Sequence, residues 1–426
     1  MSATPHLWKK YDAVVIGGGP AGSSYAMSLS RRGHRVLLME RTKFPRFHIG
    51  ESLLTATADT LEHLGLLDRM KAEGFPVKRG VELTGDDGSF RRIAFSDIGD
   101  GHREWTHHVE RADFDKILLD AARESGVEVI ENAHVSAPLM AGERVVGVRY
   151  RQGGEHHEVS AEFVADASGR AGVLARAFKL RKVKDELRMA AVFKHFGGLD
   201  ERHNPAAEGD IQLCNHKDGW VWGIPIRKDV ISVGAVTPVD MLRDSDPEDL
   251  FTEHVNRIPR LRARLTGTEV VRELTGETDY AYYADRLTGP GYFIVGDAGC
   301  FTDPIFSGGV FLALIGGVRA AEQTSKCLKG EAEEASARKY YEDFYKTGFE
   351  TYHRLIRAFY DNNYLITNYV QDMFAQGMHP RWVTRTLNGD FWSEDNILVN
   401  RMRTEKKWKL FEDFDPVYRP LFMDGD

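Results

Sequence analysis

Apolar and polar positions fall into blocks that mark the elements before any chemistry is considered. Val14, Val15 and Ile16 form a short continuous apolar run, the pattern of a strand covered on both faces. Gly17-Gly18-Gly19-Pro20-Ala21-Gly22 follows at once, then a helical stretch to about Arg32 that Gly33 stops. Val36–Met39 is a second apolar strand and ends in Glu40. Strand, glycine turn, helix, strand and acid make one complete βαβ unit. Downstream, short β-like stretches lie near Val81–Leu83, Glu104–Val109, Val127–Ile130, Val145–Tyr150, Ala190–Phe196, Trp220–Ile224 and Ile231–Val236. Helical spacing returns over Asp113–Ser125 and from about Val310 to Leu328. From about Glu334 the chain is helical and aromatic. Tyr341, Tyr345, Phe349, Tyr352, Ile356 and Phe359 recur at intervals of four and three, which is one face of a helix docked on a core.

Composition narrows the class. A length of 426 residues corresponds to about two to three domains. With 56 Lys+Arg against 64 Asp+Glu the formal charge is −8, so no basic surface points to nucleic acid. Hydrophobic residues at 42% exclude a disordered chain. Cys214, Cys300 and Cys327 are far apart and form no CxxC pair, so neither a disulfide framework nor a metal site is expected. The opening MSATPHLWKK lacks the apolar stretch of a signal peptide, and no apolar run reaches the ~18 residues of a membrane span. The expected compartment is a reducing cytoplasm.

The glycine turn has a physical logic. Gly17 and Gly19 permit a tight turn and close approach of a pyrophosphate to the backbone. Gly22 lets the helix pack on the strand, and the helix start at Pro20 and Ala21 faces the anion. Glu40 lies 18 residues after Gly22, close to the ~20 expected of a carboxylate that grips a ribose, with Arg41 beside it.

Two later segments add a resemblance. Asp166-Ala-Ser-Gly169-Arg follows the apolar Phe163–Ala165, and Gly296-Asp297-Ala298 follows Tyr292–Val295. With the first unit these segments resemble the flavoprotein superfamily of the hydroxybenzoate hydroxylase type. The resemblance implies FAD, with Asp297 on the ribityl chain, Asp166 also at the cofactor, and Arg111 in its groove. It also implies an α/β (α+β) fold. A Rossmann-like FAD-binding domain would span 11–75, 100–180 and 275–333, with an inserted antiparallel-sheet substrate domain over 76–99 and 181–274. A C-terminal helical region would follow over 334–426, and residues 1–10 would be a flexible N-terminus. Only one dinucleotide fingerprint is present. Electrons therefore come from transient NAD(P)H docking or from a separate flavin reductase.

Four motifs narrow the chemistry. Trp220-Val-Trp222-Gly-Ile224-Pro225 puts two indoles and Ile224 on one strand face, either as inter-domain core or as a bulky wall. It is similar to the WxWxIP signature of flavin-dependent halogenases, and geranylgeranyl reductases carry a related element. Phe301-Thr-Asp-Pro304-Ile-Phe-Ser307-Gly-Gly309 is similar to the halogenase FxxPxxSxG pattern at every fixed position. The chain would enter a helix at about Gly309–Val310, and unpaired amides at Gly308 and Gly309 would accept chloride or bromide. Lys78 lies in Gly74-Phe75-Pro76-Val77-Lys78-Arg79-Gly80, with Arg79 on the opposite face. It is either a solvated surface charge or the indispensable lysine of that family. Phe44-Pro-Arg46-Phe-His48-Ile-Gly50-Glu51-Ser52 is similar to the cofactor loop of the phenol and pyrrole halogenases. Phe306 stands where tryptophan halogenases carry glutamate before the motif serine, which points away from indole substrates.

The resemblance covers roughly residues 11–310. It implies an enzyme in which reduced FAD and O2 oxidise chloride or bromide to hypohalous acid. A small aromatic substrate, phenol or pyrrole, free or on an acyl carrier protein, is then halogenated at Lys78, with Ser307, Trp220 and Trp222 completing the catalytic set. Lys78 would polarise the acid through an ammonium hydrogen bond or form a haloamine. The competing readings are an aromatic hydroxylase or epoxidase, a reductase of isoprenoid double bonds, and a flavin-binding protein without turnover.

Overall fold

The βαβ unit forms where the apolar runs place it. Tyr11–Ile16 is the first strand, Pro20–Ser30 the helix and Val36–Met39 the second strand, paired in parallel from Ala13 opposite Val36 to Ile16 opposite Met39. The computed structural model describes residues 11–85, 87–99, 102–200, 209–216, 218–361, 381–412 and 414–418. The stretch 1–10, expected to be flexible, and parts of the 334–426 region lie outside the described residues. Glu128–Ile130 extends the sheet beyond the second strand. On the other side Glu155–Asp166 and then Tyr292–Ile294 join it in parallel. Where they pair at the centre of the sheet, Ala13–Ile16, Val36–Met39, Phe163–Ala165 and Tyr292–Ile294 are apolar and buried, whereas the first half of Glu155–Asp166 is polar and pairs with Arg144–Gln152 outside this core.

A second sheet runs Cys300–Phe301, Glu269–Ala284, Arg181–Gly197, Val230–Pro238, Gly219–Arg227, Ile211–His216, Gly80–Thr84 and Phe90–Ala94. Its alternation separates two cores. Phe193, Trp220, Trp222, Ile224 and Val236 face the first sheet. Val192, Val221, Val233 and Ala235 face the other way, onto Leu250, Phe251, Val255 and Leu261 of two short helices.

Two boundaries differ from the sequence expectation. Glu269–Ala284 belongs wholly to the second sheet, because its pairing with Arg181–Gly197 continues from Glu269 to Ala284 across the expected limit at 274. Cys300–Phe301 then adds to the edge of the same strand. Val77–Lys78 stays out of that sheet and pairs with Thr106–His107 in a separate two-stranded ribbon.

Two long helices finish the described chain's main body. Gly309–Leu328 crosses Pro20–Ser30 so closely that a Cβ at Gly317 would overlap the Ser24 side chain. In Glu334–Tyr360 the aromatic stripe from Tyr341 to Ile356 is buried in the large core, and Tyr341 Oη donates to Ile294 O at 2.9 Å. Among the described residues no helix is long and apolar enough to cross a membrane.

Candidate active site

The glycine turn is built to leave backbone bare. Gly17 has φ +101°, and a Cβ there would overlap the Ala167 carbonyl; one at Gly22 would overlap the Gly17 carbonyl. Gly19 caps the helix with no side-chain cap of its own, and Pro20, Ala21 and Gly22 form a first turn without an acid. Such a helix start presents unpaired N–H groups and the positive end of its dipole. Arg46 stands beside it, 3.5 Å from where a Gly19 Cβ would be. Glu40 is buried at the end of its strand. Its Oε2 accepts from Gly18 N at 2.8 Å and its Oε1 from Thr42 N and Oγ1 at 2.9 Å. Arg41 is exposed and lines a cavity of about 480 Å³ with Thr42, Asn132, His134 and Arg151.

Arg111 opens the Arg111–Glu124 helix and is locked from two sides. Its guanidinium forks onto Asp115 at 2.8 and 3.0 Å and donates to Ile49 O and Gly50 O of the cofactor loop at 2.7 and 3.2 Å. Asp115 also pairs with Arg46 at 3.1 Å, and its two arginines hold its carboxyl below the usual range despite full burial. Asp297 is different. Burial raises its carboxyl to about 6, against the pull of Arg111 and Arg170, and the carboxylate accepts no hydrogen bond from the described residues, although the backbone O accepts from Tyr282 Oη at 2.7 Å. A bare glycine cradle, an uncapped helix start and a carboxylate awaiting hydroxyl donors fit FAD. Asp166 carries the same number of local donors as Glu40: its Oδ1 accepts from Ser168 N and Oγ and its Oδ2 from Leu174 N, so the carboxylate also caps the next short helix.

The two tryptophans stand on one face of Gly219–Arg227, ring centroids 5.7 Å apart. Trp222 lies flat over Gly234, where any side chain would overlap its ring, and donates to Ser232 Oγ at 3.1 Å. Trp220 donates Nε1–H to Tyr360 Oη at 2.9 Å, and Tyr360 donates to Asp303 Oδ2 at 2.8 Å. Asp303 Oδ1 accepts from Ile305 N. Burial pushes this carboxyl up to about 6, against its donors Tyr360 Oη and Ile305 N. The chain then turns at Ser307, a non-glycine residue at φ +58°, with its N–H on Pro304 O at 2.8 Å.

Of the two amides expected to be free, one is not. Gly308 N–H donates to Tyr352 Oη at 3.0 Å, and a Cβ at Gly308 would press on the Tyr352 ring. The free donors therefore begin at Gly309, which is exposed and where an added methyl would meet nothing within 4 Å. Tyr360→Phe is expected to strand Trp220 Nε1–H and remove the donor to Asp303. A cost of about 1–3 kcal/mol should appear as a lower urea midpoint with FAD still bound.

Lys78 is 2% exposed, while its neighbour Arg79 points to solvent. Its Nζ donates to Ser52 Oγ at 2.9 Å and Leu53 O at 3.1 Å and lies 5.4 Å from the Phe95 ring centroid. Burial lowers the amine to about 7, opposed by the Asp210 carboxylate.

A family model described as an FAD binding domain matches residues 10–348. The chain is 35% identical over 362 residues to a tryptophan 2-halogenase of Chondromyces crocatus, covering 82% of this chain and 68% of that one. It is 30% identical over 421 residues to the 1H-pyrrole-2-carbonyl-(peptidyl-carrier protein) chlorinase of Pseudomonas fluorescens, covering 92% of each. The solved structure of a flavin-dependent brominase superposes with a TM-score of 0.83 at 31% identity, over 93% of this chain and 98% of that one. The chain belongs to the flavin-dependent halogenases.

In this halogenase a second cavity, of about 590 Å³, lies between Thr55, Asp59, Ile98, Arg103, Asn388 and Phe391. Lys78 is not on its wall, but Thr55 follows the Lys78-binding Leu53 by two residues, and Phe391 packs on Tyr352 at 5.4 Å. Sequence reasoning does not single out Asp115, Asp303, Tyr352 or Tyr360, which the structure places against Arg111, Trp220 and the motif loop. Asp115 was findable as the acid one turn after Arg111, and Asp303 lies inside the motif. Tyr352 was visible only as core, and Tyr360 sits one residue off the aromatic stripe.

Proposed function

We propose that the enzyme brominates or chlorinates an electron-rich phenol or pyrrole at Lys78, using hypohalous acid made at the cofactor. The observation that carries this reading is a lysine amine that is buried and hydrogen-bonded to Ser52 Oγ and Leu53 O. Gly17, Gly19, Gly22, Glu40, Arg111 and Asp297 would hold FAD, and Gly309 would offer the first free amide to a halide. When bound, reduced FAD with O2 supplies the oxidising equivalent that turns halide into hypohalous acid. Trp220 and Trp222 fill the space between the sheets and keep water out.

At Lys78 the ammonium group would donate to the oxygen of hypohalous acid and weaken the oxygen–halogen bond. Conversion to a haloamine is disfavoured, because it leaves one N–H to serve both Ser52 Oγ and Leu53 O. A carrier-bound substrate is supported by the chlorinase that aligns over 92% of both chains and is named for a pyrrole on a peptidyl-carrier protein. Another relative is named for tryptophan, so Phe306 does not by itself exclude indole. A flavin reductase is the proposed source of electrons, because only one dinucleotide fingerprint is present.

The test supplies the purified chain with FAD, a generic flavin reductase, NADH and bromide. The substrates are phenol, pyrrole-2-carboxamide and a pyrrolyl-carrier thioester. The expected product shows the paired bromine isotope signature by mass spectrometry. A hydroxylated product formed equally without halide would overturn the reading.

A further inference from the structure

The Val77–Lys78/Thr106–His107 ribbon sorts its side chains. Lys78 is paired with Thr106, so both project to one face, and His108, two residues on, projects the same way. His107 turns to the other side, against Trp105 at 5.3 Å. The shared face looks onto Ser52–Leu54. Ser52 is bridged to His108, Lys78 Nζ donates to Ser52 Oγ and Leu53 O, and Thr106 Oγ1 donates to Leu54 O at 2.9 Å.

His108 is fully buried, and its Nε2 lies 2.8 Å from Gly209 O. A carbonyl only accepts, so Nε2 carries the proton and Nδ1 the lone pair. Nδ1 has no hydrogen-bond partner. Burial first, then Lys78, with Arg264 and His107 also acting, keeps the imidazole well below its ordinary value and therefore neutral. The carboxylate that Lys78 feels, Asp210, is already forked by Arg92 at 2.5 and 3.3 Å. The open base beside Lys78 is His108 Nδ1.

We propose that His108 takes the ring proton released on halogenation and returns it to Lys78 through Ser52 Oγ; this rests on the reading of Lys78 given above. The oxygen–halogen bond of hypohalous acid breaks as the ring carbon bonds to halogen, and the oxygen leaves as water with a proton from Lys78. The ring carbon then bears hydrogen, halogen and a positive charge. Its C–H bond breaks, the electron pair restores the aromatic ring, and the proton joins His108 Nδ1. Ser52 Oγ, which here accepts from Lys78 and is not bonded to Nδ1, would turn its hydroxyl toward the protonated imidazole and pass a proton on to the Lys78 amine. The sum is ring C–H plus hypohalous acid giving C–halogen plus water, with no outside base.

The test compares phenol with ring-deuterated phenol in the wild type and in His108→Gln, beside bromide oxidation trapped by monochlorodimedone. The expected result is an intact bromide arm in both proteins and a fall in phenol bromination on the order of 10²-fold in His108→Gln. A primary isotope effect should appear only in the variant, a signature that a merely structural role would not produce. Ser52→Ala, which leaves His108 in place, serves if His108→Gln does not fold. It should keep single-turnover bromination but slow steady-state turnover. No oxidant from the wild type would count against the halogenase reaction itself. An intact oxidant arm with unchanged bromination and no isotope effect in His108→Gln, or full turnover in Ser52→Ala, would overturn the role of His108 alone.

Discussion

Lys78→Met is expected to lose ring halogenation by about 10²–10⁴-fold while the protein stays yellow and still oxidises bromide. Methionine keeps about the volume and the apolar stem of lysine but removes every N–H, so the loss reports the amine and not the packing. The sign of the pH response follows from burial. With the amine lowered to about 7, the ammonium form prevails below that value and fades above it. Raising the pH from 6 to 8 should therefore reduce wild-type halogenation about tenfold. A haloamine route needs the free amine and would rise over the same interval. The profile is read with oxidant supply measured in parallel, so that a change at the cofactor is not mistaken for one at Lys78. Normal halogenation by Lys78→Met would remove this residue from the reaction.

The second large effect lies in the glycine turn, where two neighbouring substitutions should separate folding from cofactor affinity. Gly22→Ala drives a methyl into the Gly17 carbonyl, backbone against backbone, so the strand–helix packing itself must shift. A loss of about 1–3 kcal/mol or more is expected, with FAD lost on desalting. Gly19 has φ −71° and ordinary contact distance to Arg46, so Gly19→Ala should fold normally. Its methyl would nevertheless stand over the helix start that receives the pyrophosphate. Thermal melting should then be near wild type without cofactor, while FAD affinity falls at least tenfold. Equal FAD affinity in Gly19→Ala would show that the anion does not sit at this helix start.

How much of this was readable beforehand depends on the kind of signal. The βαβ unit, the paired tryptophans and the aromatic helix rest on periodicity, and their elements stand where the spacing puts them. The limit at 274 failed because Glu269–Ala284 is one long strand whose partner is fixed by tertiary pairing, and composition does not change across it. Short helices such as Thr55–His63 and Pro247–Asn256 were missed because few turns carry no clear repeat. Asp246 before Pro247 was nevertheless a legible start signal, since its side chain accepts from Glu248 N. Asp166 shows the opposite limit. A motif named the residue, but only geometry shows both oxygens spent on local backbone and Ser168. Lys78 could be singled out by a motif, yet its burial and the neutral imidazole beside it depend on a ribbon that brings residues 77–78 against 106–108.

The grip of the Glu334–Tyr360 helix on the motif loop has one more consequence. The pattern shared by FAD-binding proteins ends at residue 348, just short of Tyr352 and Tyr360, the two phenols that touch Gly308 and Asp303. The turns of the helix that brace the motif loop thus lie just past the segment that the FAD-binding pattern matches, so a substitution there would reach Gly308 and Asp303 without altering the glycine cradle.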